Sequence, residues 1–468
     1  MIEPKEPIEL KKSNRFLSAA LPQAAALLTA VVVLIYIFSV PIGVADGGGQ
    51  YQTVERMGLR YAEPPSDGYF AARYGVSGKP QPRDTRAVIT AFAARYAGDS
   101  LDVRRVAAIY GVLFLLGIWL AVKSGERADS LNWAAAVLCA LIFTDIGYTA
   151  YFNTLYGEGA VLTTFLLAAA LLLLCHKRKA APVYLVAAAV LASTAFAFCG
   201  TLQAWAGAVL GLCIARLAAI ARNRAERYTA VAGGAAVVLL SVAFALTYQP
   251  ADYSKNLYHA VFLGTAKHES VARLGLDPAL DALKGSFYSA EAAEQYHLDE
   301  NFYAKINYAK IAGFYLTRPG AFFKELDSAV KNAYTIRPTY LGNYTKERGR
   351  DGDLASGFSL YSTLKSKFIP NTMTFTAVFF AIYFGMLLYI YRTEKEKRPI
   401  AEVLLGLGAA ALLCLKLPAV LTGGYEIGRA LFTYNLLFDS MLIASVVAGG
   451  RYMAERRGRL RKKYGAEQ

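Results

Sequence analysis

Charge is scarce in this chain. Only 18% of its 468 residues are charged, against 55% apolar ones, and the mean hydropathy is +0.32. That balance excludes an ordinary soluble domain and points to a polytopic membrane protein. Cysteine is equally thin. Cys139, Cys175, Cys199, Cys213 and Cys414 sit in or beside apolar runs with no C-x-x-C pair, so neither a disulfide framework nor a zinc site is indicated. His176, His259, His268 and His297 make no metal motif. A nucleotide fingerprint is missing too: "GLGAAA" lacks the Rossmann and P-loop patterns and lies inside an apolar run. Its absence argues against direct use of a cytoplasmic nucleotide sugar. Strand alternation is missing as well, since runs such as "LTTFLLAAALLLL" do not alternate, which excludes a transmembrane barrel.

What is present is a series of long apolar runs. An apolar helix of about 20 residues crosses the hydrocarbon layer. The runs predict ten spans, at about 18–42, 102–122, 131–151, 159–175, 181–199, 203–221, 229–248, 371–391, 400–420 and 430–449. Only "GTL" separates the fifth from the sixth, so 181–221 reads either as two spans or as one broken helix. The first run reads as a retained span rather than a cleaved signal, because "DGGGQY" after it offers no convincing cleavage site.

The net charge of +15 would suit nucleic acid, yet the basic residues sit in short connectors and in the C-terminal tail. Placing "HKRK", "ARNRAER", "YRTEKEKR" and "RYMAERRGRLRKK" inside satisfies the positive-inside rule with both termini cytoplasmic, and leaves no call for a nucleic-acid partner. Three sections follow. Residues 1–248 form an N-terminal transmembrane module with an external loop at 43–101. Residues 249–370 form an extracytoplasmic, tyrosine-rich helical insertion, and 371–468 hold the last spans and a basic cytoplasmic tail. In the external loop, "QYQTVERMGLRY" and "RDTRAVITAFAARYAG" read as helices lying on the membrane, the second presenting Val88, Phe92 and Tyr96 along one face. In the insertion, short helices break at Gly285 and near Pro319. Its tyrosines and phenylalanines suit a lipid interface or the stacking of sugar rings.

Polar residues stand where a membrane makes them costly. Asp46 follows the first span, beside Gly47, Gly48 and Gly49, which leave room for a ligand near its carboxylate. In "FTDIGYTAYFNTLYGEGAV", Asp145 shares a helical face with Tyr148 and Thr149, and Asn153 and Glu158 lie in the turn beyond. An aspartate within a span is a functional candidate by default. In "LKLPAVLTGGYEIGRALFTYNLLFDSML", Lys416 and Arg429 flank an outer turn carrying Tyr425 and Glu426, and Asp439 in mid-span needs a buried partner or water.

Transfer of a sugar from a polyprenyl-phosphate carrier fits these groups. The acceptor hydroxyl needs a carboxylate base, for which Asp46 is the candidate. The leaving phosphate needs cations, for which Lys416 and Arg429 are candidates. Asp145, Tyr148, Asn153, Glu158, Tyr425 and Glu426 are the candidate substrate-binding residues.

The architecture resembles the GT-C superfamily of integral membrane glycosyltransferases, whose catalytic aspartate stands in the first external loop with juxtamembrane helices after it. Asp46 and the two helical stretches match that plan. More narrowly, "DGGGQYQTVERMGLRY", "DIGYTAYFNTLYGEGA", "NLYHAVFLGTAKHESVARLGLDPALDALKGSFY" and "GRALFTYNLLFDSML" are similar to polytopic proteins of bacterial cell-surface and S-layer glycan clusters. The resemblance implies an enzyme of the bacterial cytoplasmic membrane with an outward-facing site, acting on a glycan or lipid-linked acceptor among membrane lipids. Some GT-C enzymes hold a divalent metal through a second acidic motif. The spacing of Asp145 and Glu158 is no recognised metal signature, so no metal ligand is assigned and no cofactor is required. A lipid-linked glycan flippase or exporter, or a non-catalytic scaffold in surface-polymer assembly, are the alternatives.

Overall fold

A computed structural model describes residues 8–40, 42–44, 51–62, 73–123, 130–177, 181–344 and 353–464. The chain is an all-α polytopic membrane protein with two very small sheets outside its spans. The first stretch runs α1 (Ile8–Ser39), β1 (Ile42–Val44), α2 (Tyr51–Arg56), β2 (Leu59–Tyr61), β3 (Arg73–Val76), α3 (Thr85–Arg95) and β4 (Ser100–Asp102). Helices α4 (Val103–Lys123), α5 (Ser130–Phe143), α6 (Ile146–Thr149), α7 (Glu158–Lys177), α8 (Val183–Ala197), α9 (Thr201–Arg216) and α10 (Arg224–Thr247) follow. The insertion holds α11 (Tyr253–His259), α12 (Ala290–Gln295), α13 (Tyr308–Thr317), α14 (Pro319–Lys331), β5 (Leu341–Tyr344) and α15 (Leu360–Phe368). Then come α16 (Met373–Thr393), α17 (Arg398–Thr422), α18 (Ile427–Ala430) and α19 (Phe432–Tyr464).

Among the described residues, eight helices are long and apolar enough to cross a membrane, or nine if a bent pair counts as one span. This revises the ten expected from the sequence, and two local causes explain the difference. Helix α8 has 15 residues, about 22 Å at the α-helical rise, short of a hydrocarbon core of about 30 Å. The stretch predicted as one span at 131–151 bends by 50° between Phe143 and Ile146. Asp145 sits in that break and caps the new helix, its Oδ1 accepting from the Gly147 amide at 2.7 Å. The 181–221 ambiguity resolves into two helices, α8 and α9, packed on one another and on α10. Small residues allow that closeness: a Cβ on Gly234 would lie 2.5 Å from the Ala215 amide nitrogen.

One end of the bundle gathers contacts between distant segments. The Thr85 amide and hydroxyl donate to Phe198 and Ala195 carbonyls at the end of α8. Gln203 at the start of α9 reaches Thr433 at the start of α19, and Tyr248 after α10 reaches Asp84. At the opposite end, Arg216 of α9 pairs with Glu402 of α17 at 2.7 Å. On the first end, β1 pairs antiparallel with β5, and β2, β3 and β4 form a second antiparallel sheet.

The stretch expected as one helix over 50–61 is helical only through Arg56. Gly58, at φ +69°, turns the chain into β2 instead. The second stretch does form α3, and Val88, Phe92 and Tyr96 are more than half exposed along it. Asp84 caps this helix through the Ala87 amide. In the insertion the chain breaks at Gly285 (φ +75°), and Pro319 opens α14. Residues 257–315 bury their own apolar cluster around Tyr258, Phe262 and Phe302. From Leu326 to Tyr361 the buried apolar side chains belong to the main core.

Candidate functional site

Glu158 is the first residue of α7, and the turn after α17 brings Arg429 to it. The Arg429 Nε lies 3.4 Å from the Glu158 carboxylate, and Nη2 lies 3.1 Å from Glu426. The guanidinium also stacks over Tyr156, 4.3 Å from the ring centroid. Burial opposes the Arg429 charge, but Glu426 and Glu158 hold the group well above its ordinary value. The side chain keeps a quarter of its surface open. Arg429 is thus a fixed, partly open cation set between two carboxylates.

The turn that carries Arg429 is unusually constrained. Gly423, Gly424 and Glu426 all have positive φ. Glycine accepts such angles, but Glu426 at φ +46° holds a strained conformation that other contacts must impose. Gly423 meets the insertion directly: a Cβ there would fall 2.1 Å from the His259 carbonyl oxygen.

A second arginine lies beside this pair. Arg86 of α3 runs past Gly157, whose Cβ would sit 3.8 Å from the Arg86 Cδ. One nitrogen of Arg86 bonds Asp84 at 2.9 Å, while Tyr248 donates to the same carboxylate oxygen at 2.7 Å. The Arg86 Nε is buried without a partner among the described residues. Asp84, Arg86 and Tyr248 escaped the sequence reading. The "DTRAV" helix start signals the cap at Asp84, but nothing local ties it to Tyr248, 164 residues away.

Asp46 lies outside the described residues. The chain leading to it is anchored, because β1 ends at Val44 and Asn153 donates to the carbonyls of Ile37 (3.1 Å) and Ile42 (3.5 Å). The Asn153 Oδ1 is buried without a partner among the described residues. Lys416 is exposed on α17.

Asp145 and Tyr148 are buried and engaged by other elements. Asp145 uses one oxygen on the Gly147 amide and the other on the Ser362 amide at 2.9 Å. Tyr148 donates to Asp439 at 2.5 Å. Asp439 in turn receives the Tyr361 hydroxyl at 2.6 Å and the Lys365 ammonium at 2.7 Å, and Lys365 also bonds Asn435. Lys365 and Asp439 are completely buried. Burial pushes the Lys365 ammonium down against the raising effect of Asp439. This knot supplies the partner that a mid-span Asp439 requires, and it pins α15 to α6 and α19.

Tyr425 stacks on His259 with ring centroids 4.1 Å apart. His259 is fully buried, and its Nε2 accepts the Tyr288 amide at 3.1 Å. Burial, with Lys255 nearby, pushes this imidazole down to about 4. The unfolded chain therefore binds the proton first, so stability is lost as pH falls from about 6.5 toward 4. Thermal melts across that window should show a falling midpoint whose slope shrinks in His259→Gln. An unchanged slope in the variant would remove His259 as the cause.

Among the described residues, no three His, Cys, Asp or Glu side chains are grouped to hold a metal ion. No curated protein matches the chain. A family model described as the YfdI N-terminal transmembrane domain matches residues 8–466, nearly the full length, and the chain belongs to that family.

Proposed function

We propose that this chain is a GT-C-type glycosyltransferase. It moves a sugar from a polyprenyl-phosphate carrier to a cell-surface glycan or lipid-linked acceptor at the outer face of the bacterial cytoplasmic membrane, with both termini cytoplasmic. The observation that carries this reading is Arg429, a partly open guanidinium held between Glu158 and Glu426 at the membrane-domain rim. Arg86, with an unpartnered buried Nε beside Gly157, adds a second cation to the same edge. Two forked cations suit a phosphate better than a single point charge does.

In the proposed reaction the Asp46 carboxylate takes the proton of the acceptor hydroxyl. The acceptor oxygen bonds the anomeric carbon as the bond from that carbon to the phosphate oxygen breaks. The leaving carrier phosphate keeps the electron pair, and Arg429 with Arg86 holds the charge. Lys416, exposed on α17, is a further candidate cation for the same phosphate. Asp145 and Tyr148 serve the frame, while Glu158, Asn153, Tyr425 and Glu426 are the residues left to meet sugar.

The test is turnover of purified protein in nanodiscs with a panel of polyprenyl-phosphate sugars, read as released carrier phosphate. Arg429→Gln should raise the donor KM about 10- to 100-fold, the range expected when a charged hydrogen-bond partner is lost. A melt of the same sample separates this from unfolding. Release at the parental KM by folded Arg429→Gln, or no release with any donor, defeats the reading.

A further inference from the structure

We propose that Phe287 and Tyr425 form a stacking platform for a pyranose ring of the acceptor glycan, next to the Arg429 edge. The inference rests on the proposed function and names the subsite that function lacks. Phe287 is 65% exposed, although it belongs to a segment with its own packed core. Its ring centroid lies 5.9 Å from that of Tyr425, at 62°.

Neither ring is placed by chance contact. The next amide after Phe287, that of Tyr288, donates to the buried His259 Nε2. The same imidazole lies against the other side of the platform, stacked on Tyr425. One buried side chain therefore sets both aromatic positions. The backbone around it is equally fixed. Ala260–Gly264 is a π-helix immediately after His259, and Gly423 presses so closely on the His259 carbonyl that no side chain fits there. π-Helical turns of this kind are often kept where function needs them.

Two occupants could cover an exposed aromatic: lipid, or a ligand with a flat apolar face. The surroundings favour the ligand. Lys255 Nζ stands 5.1 Å from the Tyr425 centroid, and Glu426, next in sequence to Tyr425, carries its charge to Arg429. Charged groups beside the Tyr425 ring disfavour hydrocarbon there. A sugar matches both features, offering C–H bonds to the exposed Phe287 ring and hydroxyls to the charged groups beside Tyr425. The loop from Tyr425 to Arg429 would then run from acceptor to donor phosphate within one turn of chain.

The probe is a fluorescently labelled, delipidated oligosaccharide pool released from the envelope of the producing cells, titrated onto full-length protein in nanodiscs without donor. Wild type should bind it saturably. Phe287→Ala should weaken binding about tenfold, the scale of one lost aromatic contact. Phe287→Trp should stay within threefold, and Leu316→Ala, which truncates an 84% exposed side chain on α13, should leave binding unchanged. Equal binding by Phe287→Ala, or no binding by wild type, overturns the platform. So does quenching of the added Phe287→Trp emission by brominated lipids, which would put the ring in the bilayer. Because no turnover is needed, binding without transfer would sink the proposed function alone. Transfer with unaltered Phe287→Ala binding would sink only the platform.

Discussion

Lys365→Ala is expected to unfold the protein or cost about 3–5 kcal/mol, the usual penalty for stranding one member of a buried ion pair. The reason is asymmetry. An intact buried pair contributes little net stability, because desolvating both charges offsets most of their attraction. Removing one partner keeps the desolvation and loses the attraction. Here both side chains have no exposure, and Asp439 would retain only the Tyr148 and Tyr361 hydroxyls. Asn435 would also lose the ammonium that its side-chain oxygen accepts from. The double variant Lys365→Met/Asp439→Leu should recover part of the loss, since it leaves no stranded charge although the Tyr148 and Tyr361 hydroxyls lose their acceptor. Denaturant midpoints in one detergent would decide. A Lys365→Ala midpoint equal to wild type would show that Asp439 needs no cation.

That knot also marks how far the sequence could be read. A mid-span aspartate is conspicuous, and its need for a buried partner is a matter of solvation alone. Its partner was hidden for a physical reason. Lys365 lies 74 residues earlier, on a helix too polar and short to read as a span, and a surface lysine looks no different in a string of letters. Asp145 was conspicuous for the same cost, yet the backbone meets it: the carboxylate caps the very break that it occupies. Helix breaks of this kind are local, and "TD" with a following "G" is a sequence signal for one. The spans themselves were legible because twenty apolar residues leave few alternatives. Helix α8 departs from that count because apolarity fixes burial, not length. Glu158 and Arg429 were each legible as polar residues at span ends, but their meeting depends on how α7 and the turn after α17 pack, which no periodicity encodes. Arg86 and Tyr248 belong to that class as well.

The last expectation concerns the acid that would start the chemistry. Asp46→Asn should lower kcat about 10²- to 10⁴-fold, the range a general base contributes, while leaving donor affinity near wild type. The substitution keeps size and hydrogen bonding but removes the proton acceptor. Three observations frame the position without describing Asp46 itself. Strand β1 is buried and paired with β5 just before it, α2 begins just after it, and Asn153 holds the carbonyls of Ile37 and Ile42 on the approach. Because Asn matches Asp in size, melting and donor binding serve as internal controls. Asp46→Glu should recover part of the rate, since the carboxylate survives with its position shifted by one methylene. Arg429→Gln should behave differently, acting mainly through donor KM, and the contrast between the two variants separates a base from a phosphate clamp. If Asp46→Asn transfers sugar at the parental rate, the base is another group, and Glu158 or Glu426 becomes the next acid to replace.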